Sequence, residues 1–212
     1  MKYRIFHLSF VAKKTLQLAV CISFLLTVLL SFTGFANLTN ECEQISEKVL
    51  RLHILANSDS KEDQALKLQV RDRILEQSAM LFTETQRKEE AIAQVMDKLP
   101  ELKAIAQQEI WEQGFDYGVE VSLEKVSFHT REYDAITLPA GTYDALQIKI
   151  GEAKGKNWWC VLFPSLCVPS TSSVKMDDVL NPEEMDLVEH GKDYEIKFKV
   201  VEWYEEIRSW FG

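Results

Sequence analysis

Charge is absent from one long stretch of the chain. Between Leu16 and Phe35 the apolar run is interrupted only by Gln17, Ser23, Thr27, Ser31, Thr33 and Gly34. Lys2, Arg4, Lys13 and Lys14 precede it and Glu41, Glu43 and Glu47 follow, so the basic end is expected to stay in the cytoplasm while the carboxyl end crosses a membrane. A run of about 20 residues can span a bilayer, whereas secretory leaders usually carry a shorter apolar core. Gly34-Phe35-Ala36 nevertheless supplies the small residues that a signal peptidase needs. Residues 1–36 are therefore expected to be a signal peptide or an N-terminal membrane anchor held by 16–36, with cleavage after Ala36 open. Cys21 lies inside the apolar run behind Val20, which argues against a lipoprotein.

Past the leader, Val49, Leu50, Leu52, Ile54 and Leu55 are dense enough for a strand buried on both faces within Ser46 to Ala56, and the pattern stops at Asn57-Ser58-Asp59-Ser60. Ser60 followed by Asp63 resembles a capping box, and Leu66, Val70 and Ile74 then recur at helical spacing, predicting a helix to about residue 82. A second helix is expected from Thr85 or Gln86 to Leu99, with Pro100 kinking or ending it before a segment Glu101 to Gln113, and Gly114 stopping the helical region. From Tyr117 to Phe128 the period falls to two. Val119, Val121 and Leu123 share one side, and the change of phase before Val126 and Phe128 predicts a bulge.

Leu138-Pro139-Ala140-Gly141 predicts a turn, and Leu146, Ile148 and Ile150 a returning strand, so a hairpin is expected. Trp158 to Phe163 reads as a third strand after a Gly/Lys loop, with the early strand a candidate fourth. Residues 165–192, rich in Ser, Asp, Glu and Pro, read as a surface loop with one short helix around Asn181 to Val188. In 193–211, Ile196, Val200, Trp203, Ile207 and Trp210 form the stripe of an amphipathic helix. Its two tryptophans would suit a membrane surface, but Glu195, Glu202, Glu205 and Glu206 oppose anionic headgroups, and the stripe is expected to pack on the core. The expected class is α+β: a small, mostly antiparallel sheet packed against several helices in a single domain, 37–212, behind an N-terminal apolar export helix.

Composition narrows the function. The chain has 24 Lys+Arg, four of them in the leader, against 33 Asp+Glu, so the exported part carries a formal charge of −13. Such a surface excludes nucleic acid as a partner. In an exported chain Cys160 and Cys167 are disulfide candidates, closing an eight-residue loop worth about 2.5 kcal/mol if unstrained, with two buried reduced thiols as the alternative. Cys42 is left over.

Catalytic signatures are missing. Gly151 to Asn157 has three residues between its glycines where a phosphate loop needs four, and Asn157 stands where Ser or Thr should hold magnesium. The cysteines and histidines lack zinc spacing, and neither an aspartic-protease loop nor a nucleophile elbow occurs. No cofactor, metal or small-molecule substrate is expected. An exported envelope hydrolase would require His53, Asp59 and His129 to converge in a cleft.

Two stretches ask for more than core packing. Leu52 to Ser60 delivers His53, Asn57 and Asp59 to the start of a helix, and Lys154-Gly155-Lys156-Asn157-Trp158-Trp159-Cys160 places adjacent tryptophans on opposite faces of a strand. One of the two indoles is expected to be exposed beside Lys and Asn, as in a binding hot spot. His53, Asn57, Asp59, Lys154, Lys156, Asn157, Trp158 and Trp159 are therefore candidate partner-binding residues.

These stretches, with Asp63 to Leu68, Val70-Arg71-Asp72, Leu138 to Tyr143 and Asn157 through Pro164 to Cys167, resemble the stage II sporulation protein R family of endospore-forming bacteria. The resemblance covers roughly residues 49–167. It implies a secreted signalling protein made in the forespore and exported into the space between forespore and mother-cell membranes. There it would activate a membrane-embedded aspartic protease of the mother-cell membrane, which cleaves the sigma-E precursor. The resemblance implies a signal, not an enzyme.

Overall fold

The computed structural model describes residues 2–81, 87–133, 136–167 and 174–211. The chain forms two compact units, Met1–Glu41 and Cys42–Gly212. The first holds most of helix α1, Lys2–Lys48, which does not break at Ala36. Its segment from Lys13 contains an 18-residue window with a mean hydropathy of 2.3 and is the one helix among the described residues long and apolar enough to cross a membrane. Apolar side chains such as Leu18, Phe24, Leu30 and Phe32 stand exposed along it, as a lipid-facing helix requires.

The second unit is α+β. α1 persists to Lys48, so the first strand, β1, spans Leu50–Leu55 rather than starting near Ser46. α2 (Lys61–Leu81) and α3 (Lys88–Glu112) follow, then β2 (Val119–Phe128), the short β3 (Arg131–Glu132) and β4 (Thr137–Leu138), β5 (Gly141–Ile150) and β6 (Asn157–Phe163). The expected start at Thr85 or Gln86 falls outside the described residues. Pro100 lies inside α3 without ending it. It sits on the solvent side, where the carbonyl that loses its donor can turn to water.

The four-stranded sheet has the order β2-β5-β1-β6. β5 pairs antiparallel with β2 as the hairpin pattern predicts, but the Trp158 strand does not extend that meander. β1 lies between them, parallel to β5 and antiparallel to β6. The predicted bulge is also absent, because β2 pairs with β5 in unbroken register from Val119↔Ile150 to Phe128↔Gly141. The phase change has another cause: Val119, Val121 and Leu123 pack toward the core cluster, whereas Val126 and Phe128 turn to the opposite face. A strand that is buried on different faces at its two ends mimics a bulge in sequence.

On the first face, Leu50, Leu52, Ile54, Leu146, Ile148 and Leu162 meet Leu66, Val70 and Ile74 of α2 and Val95, Leu102, Ala106 and Ile110 of α3, all essentially buried. Gly114, at φ +84°, closes α3 as predicted. Within 165–192 the structure places two short helices, α4 (Met176–Val179) and α5 (Pro182–Glu189). Asn181 caps α5 by accepting from Glu184 N at 2.8 Å while Glu184 accepts from Asn181 N at 2.8 Å. The fully buried Glu184 also receives Lys48 Nζ, and Val174, Met176, Leu180, Leu187 and Val188 are buried, so this stretch packs more closely than its polar composition suggests.

The last helix, α6 (Glu195–Phe211), corrects the expectation for the tail. The predicted stripe is exposed, Ile196 and Trp210 at 83 % and Trp203 at 56 %, and it is Phe198 and Val201 that bury, at 1 % each. The helix has two apolar faces, and the narrower one fits the domain.

Candidate functional site

Nearly all the residues singled out in the sequence meet at one corner of the sheet. β1 ends at Leu55 beside the start of β6 at Asn157, because the two strands pair antiparallel there. The turn 56–60 and the loop 151–157 are consequently pressed together. Gly155 N donates to Ala56 O at 2.9 Å, Lys154 N to Asn57 O at 3.2 Å, and Lys156 N to the Asp59 carboxylate at 2.7 Å. Asn57 bridges outward and inward: its Oδ1 accepts from Glu152 N at 2.9 Å, and its Nδ2 donates to Asp63 Oδ2 at 2.8 Å.

Asp63 lies in the first turn of α2, where Ser60 Oγ accepts from its N–H at 3.1 Å. A full capping box would bring its carboxylate to the Ser60 backbone N–H, which instead donates to Ser58 Oγ at 3.1 Å, while the carboxylate receives the Asn57 and Ser58 side chains. Burial pushes this carboxyl up, but hydrogen bonds from Ser58, Asn57, Tyr117 and Ser60 outweigh it and hold it below the usual range. Lys67 ties α2 to the loop by donating to Lys156 O at 2.9 Å, and its own ammonium is pushed down chiefly by burial.

The same strands build a second cluster on the face away from α2 and α3. Arg51 and His53 alternate with the leucines of β1 and so point there, although Arg51 was not among the candidate residues. Its guanidinium is fully buried, 3.9 Å from the Phe128 ring centroid and 4.8 Å from that of Tyr143, and it donates to Tyr133 Oη. The signal was available as a charged residue inside an otherwise apolar strand. His53 stacks on Trp159 with centroids 3.9 Å apart and accepts from Gln147 Nε2 on its Nδ1 at 3.0 Å. Burial, aided by the positive charges of Arg51 and Lys149 and opposed by a hydrogen bond with Asn157, pushes His53 down to about 4.

That depression has a consequence for stability. Folded His53 stays neutral until about pH 4, whereas the unfolded imidazole binds a proton near 6.5. Its contribution is therefore complete above 6.5 and is lost as pH falls from there toward 4. Urea unfolding at pH 7 and pH 4.5 should show a loss on the order of 2 kcal/mol that His53→Gln lacks. Equal pH slopes for the two proteins would contradict it.

The expectation that one adjacent indole is exposed is not met. Trp158 and Trp159 do face opposite sides, but both are half-buried, Trp158 under the Arg71 guanidinium at 4.3 Å and Trp159 between His53 and Arg131. Cationic side chains on both faces of the sheet cover what an isolated strand would leave bare. What does reach solvent at the corner is Asp59, Lys154, Lys156 and Asn157, with Asn57 half-buried; Lys154 is paired with Glu152 at 2.7 Å. Cys160 and Cys167 are joined as a disulfide, and Cys42 is buried outside that pair.

The three groups that a hydrolase would bring together have separate partners. His53 is engaged with Gln147 and Trp159, Asp59 with the Lys156 backbone, and His129 Nδ1 with Glu202 at 2.7 Å. Among the described residues no group of three or more His, Cys, Asp or Glu is placed to hold a metal ion.

Comparison with known proteins follows the corner. A family model described as stage II sporulation protein R matches residues 46–173, a span that includes both β1 and β6. The stage II sporulation protein R of Bacillus subtilis (strain 168) is 35% identical over 192 residues, covering 80% of this chain and 86% of that relative. No solved structure matches. On that match the chain belongs to the stage II sporulation protein R family, and its role lies in sporulation.

Proposed function

We infer that the folded unit is an intercompartmental signal. Made in the forespore and exported into the space between the forespore and mother-cell membranes, it activates a membrane-embedded aspartic protease that processes the sigma-E precursor. Membership of the family, through a match that takes in the whole corner, is the observation that carries this reading. The leader gives a route across a membrane. At the corner the Asn57, Asp59 and Asp63 side chains are committed to holding the loops together, which gives a partner a fixed surface to meet.

In this reading the receptor meets the solvent-facing part of the corner, Asp59, Lys154, Lys156 and Asn157, while His53, Asn57, Trp158 and Trp159 shape it from below. Cells lacking the chain should leave the sigma-E precursor uncleaved, and complementation with the wild-type chain should restore cleavage. Lys154→Glu combined with Lys156→Glu should cut processing at least tenfold while thermal stability stays within a few degrees, because surface charge changes rarely cost more than about 0.5 kcal/mol. Normal cleavage in the deletion strain would end the reading, and full activity of the double variant would move the receptor contact elsewhere.

A further inference from the structure

α6 presents an apolar face that the domain does not use. At 100° per residue, Ile196, Val200, Trp203, Ile207 and Trp210 fall within an arc of about 80°. Phe198, Val201, Glu202 and Glu205 occupy the opposite arc, and Phe198 and Val201 anchor the helix to the domain. The stripe therefore faces outward along the whole helix, with Ile207 at 55 % and Val200 at 40 % exposure adding to the values for Ile196, Trp203 and Trp210. Five large apolar side chains on one exposed face call for a partner.

We propose that this stripe lies in the headgroup region of a bilayer, making α6 a second, interfacial membrane contact beside the apolar α1. Shape is the first argument. The stripe on 17 residues is about 25 Å long and only about 10 Å wide, the form in which an interfacial amphipathic helix lies along a bilayer. The contact can be weak, because a tethered domain needs little affinity. Only residues 36–41 separate the end of the apolar run from the folded unit, and they lie within the unbroken helix α1, about 9 Å of its length.

Chemistry is the second argument. Trp and Tyr, with an apolar body and a polar tip, are the residue types that settle at a membrane interface. Charge no longer opposes the contact as it does in a count of glutamates. Glu202 is buried and paired with Lys199 at 2.6 Å and with His129, and Glu205 on the same arc meets Arg208 at 3.5 Å, so Glu195 and Glu206 against Lys197 are the charges that remain beside the stripe. A groove of about 790 Å³ beside the stripe shares Ile196, Val200 and Trp203, and its Lys192 is paired with Glu132 at 2.8 Å. This near-neutral surface suits zwitterionic lipid, and its binding is expected to be insensitive to salt.

The test uses the full chain in proteoliposomes of phosphatidylcholine whose acyl chains are brominated close to the headgroup. Bromine quenches only tryptophans that reach the lipid. Emission should fall by an amount approaching the two-fifths share that Trp203 and Trp210 hold among five tryptophans, equally in low and high salt. The Trp203→Phe/Trp210→Phe variant should lose that quenching with its circular dichroism unchanged, whereas Trp111→Phe, which removes an exposed indole on α3, should keep it. Quenching no greater in the wild type than in the double variant overturns the proposal. So does quenching that is absent while α6 cross-links to a second copy. Neither result depends on whether the receptor is activated.

Discussion

Phe128→Ala is expected to lower the unfolding free energy by about 3–5 kcal/mol, the range for deleting a large buried aromatic. The ring lies at the centre of the cluster beneath the corner: 3.9 Å from the Arg51 guanidinium, 4.7 Å from Trp159, 5.5 Å from Tyr143 and 6.0 Å from His53. Removing it opens a cavity and also strips a buried cation of its nearest π-face. Nε and Nη1 of Arg51 have no hydrogen-bond partner, so the aromatic rings are what offset the loss of water around its charge. Urea unfolding followed by circular dichroism measures the effect. Phe128→Leu, which restores volume but not the ring, should fall between wild type and Ala. Arg51→Met should be neutral or stabilising, since an apolar chain of similar length removes the desolvated charge. A strongly destabilised Arg51→Met together with a tolerant Phe128→Ala would reverse this view of the cluster.

Gly155→Ala carries the second large effect, about 3 kcal/mol of lost stability. A Cβ at this position would stand 2.1 Å from the Ser58 carbonyl oxygen and 3.0 Å from the Ala56 side chain. The first obstacle is backbone and cannot rotate away. Relief requires the 151–157 loop to lift from the 56–60 turn, which breaks the Gly155 N to Ala56 O and Lys156 N to Asp59 hydrogen bonds together. Gly118→Ala is the matched control, with nothing within 4 Å of its Cβ, and should change stability by a few tenths of a kcal/mol. Thermal unfolding of the two variants side by side decides the matter. Equal melting temperatures would mean that the corner is looser than its hydrogen bonds indicate.

Both effects fall on residues whose partners lie far away in sequence, and the limits of sequence reading lie in the same place. Asn181 and Glu184 announce α5 because a cap acts over three residues, and Gly114 announces the end of α3 for the same reason. Alternation marks β2 and β5 as strands and a short apolar run marks β6, yet neither pattern says anything about neighbours. β1 therefore enters between β5 and β6 without any local sign, and in doing so brings Asn57 to Glu152 and Asp59 to Lys156. The candidate residues were recognisable as two separate stretches. That they bind each other, rather than standing free, follows only from the pairing of the strands.

Some properties of this protein are therefore carried by neighbouring residues: the long apolar N-terminal segment and the kinds of its elements. Each rests on side chains within a turn or two of one another, where backbone geometry alone sets the outcome. Which apolar face of α6 is buried belongs to the other class. Phe198 and Val201 compete there with a broader stripe for a single place against the domain, and local periodicity favours the stripe. The shape of the surface that receives the helix reverses that preference and leaves Trp203 and Trp210 facing outward.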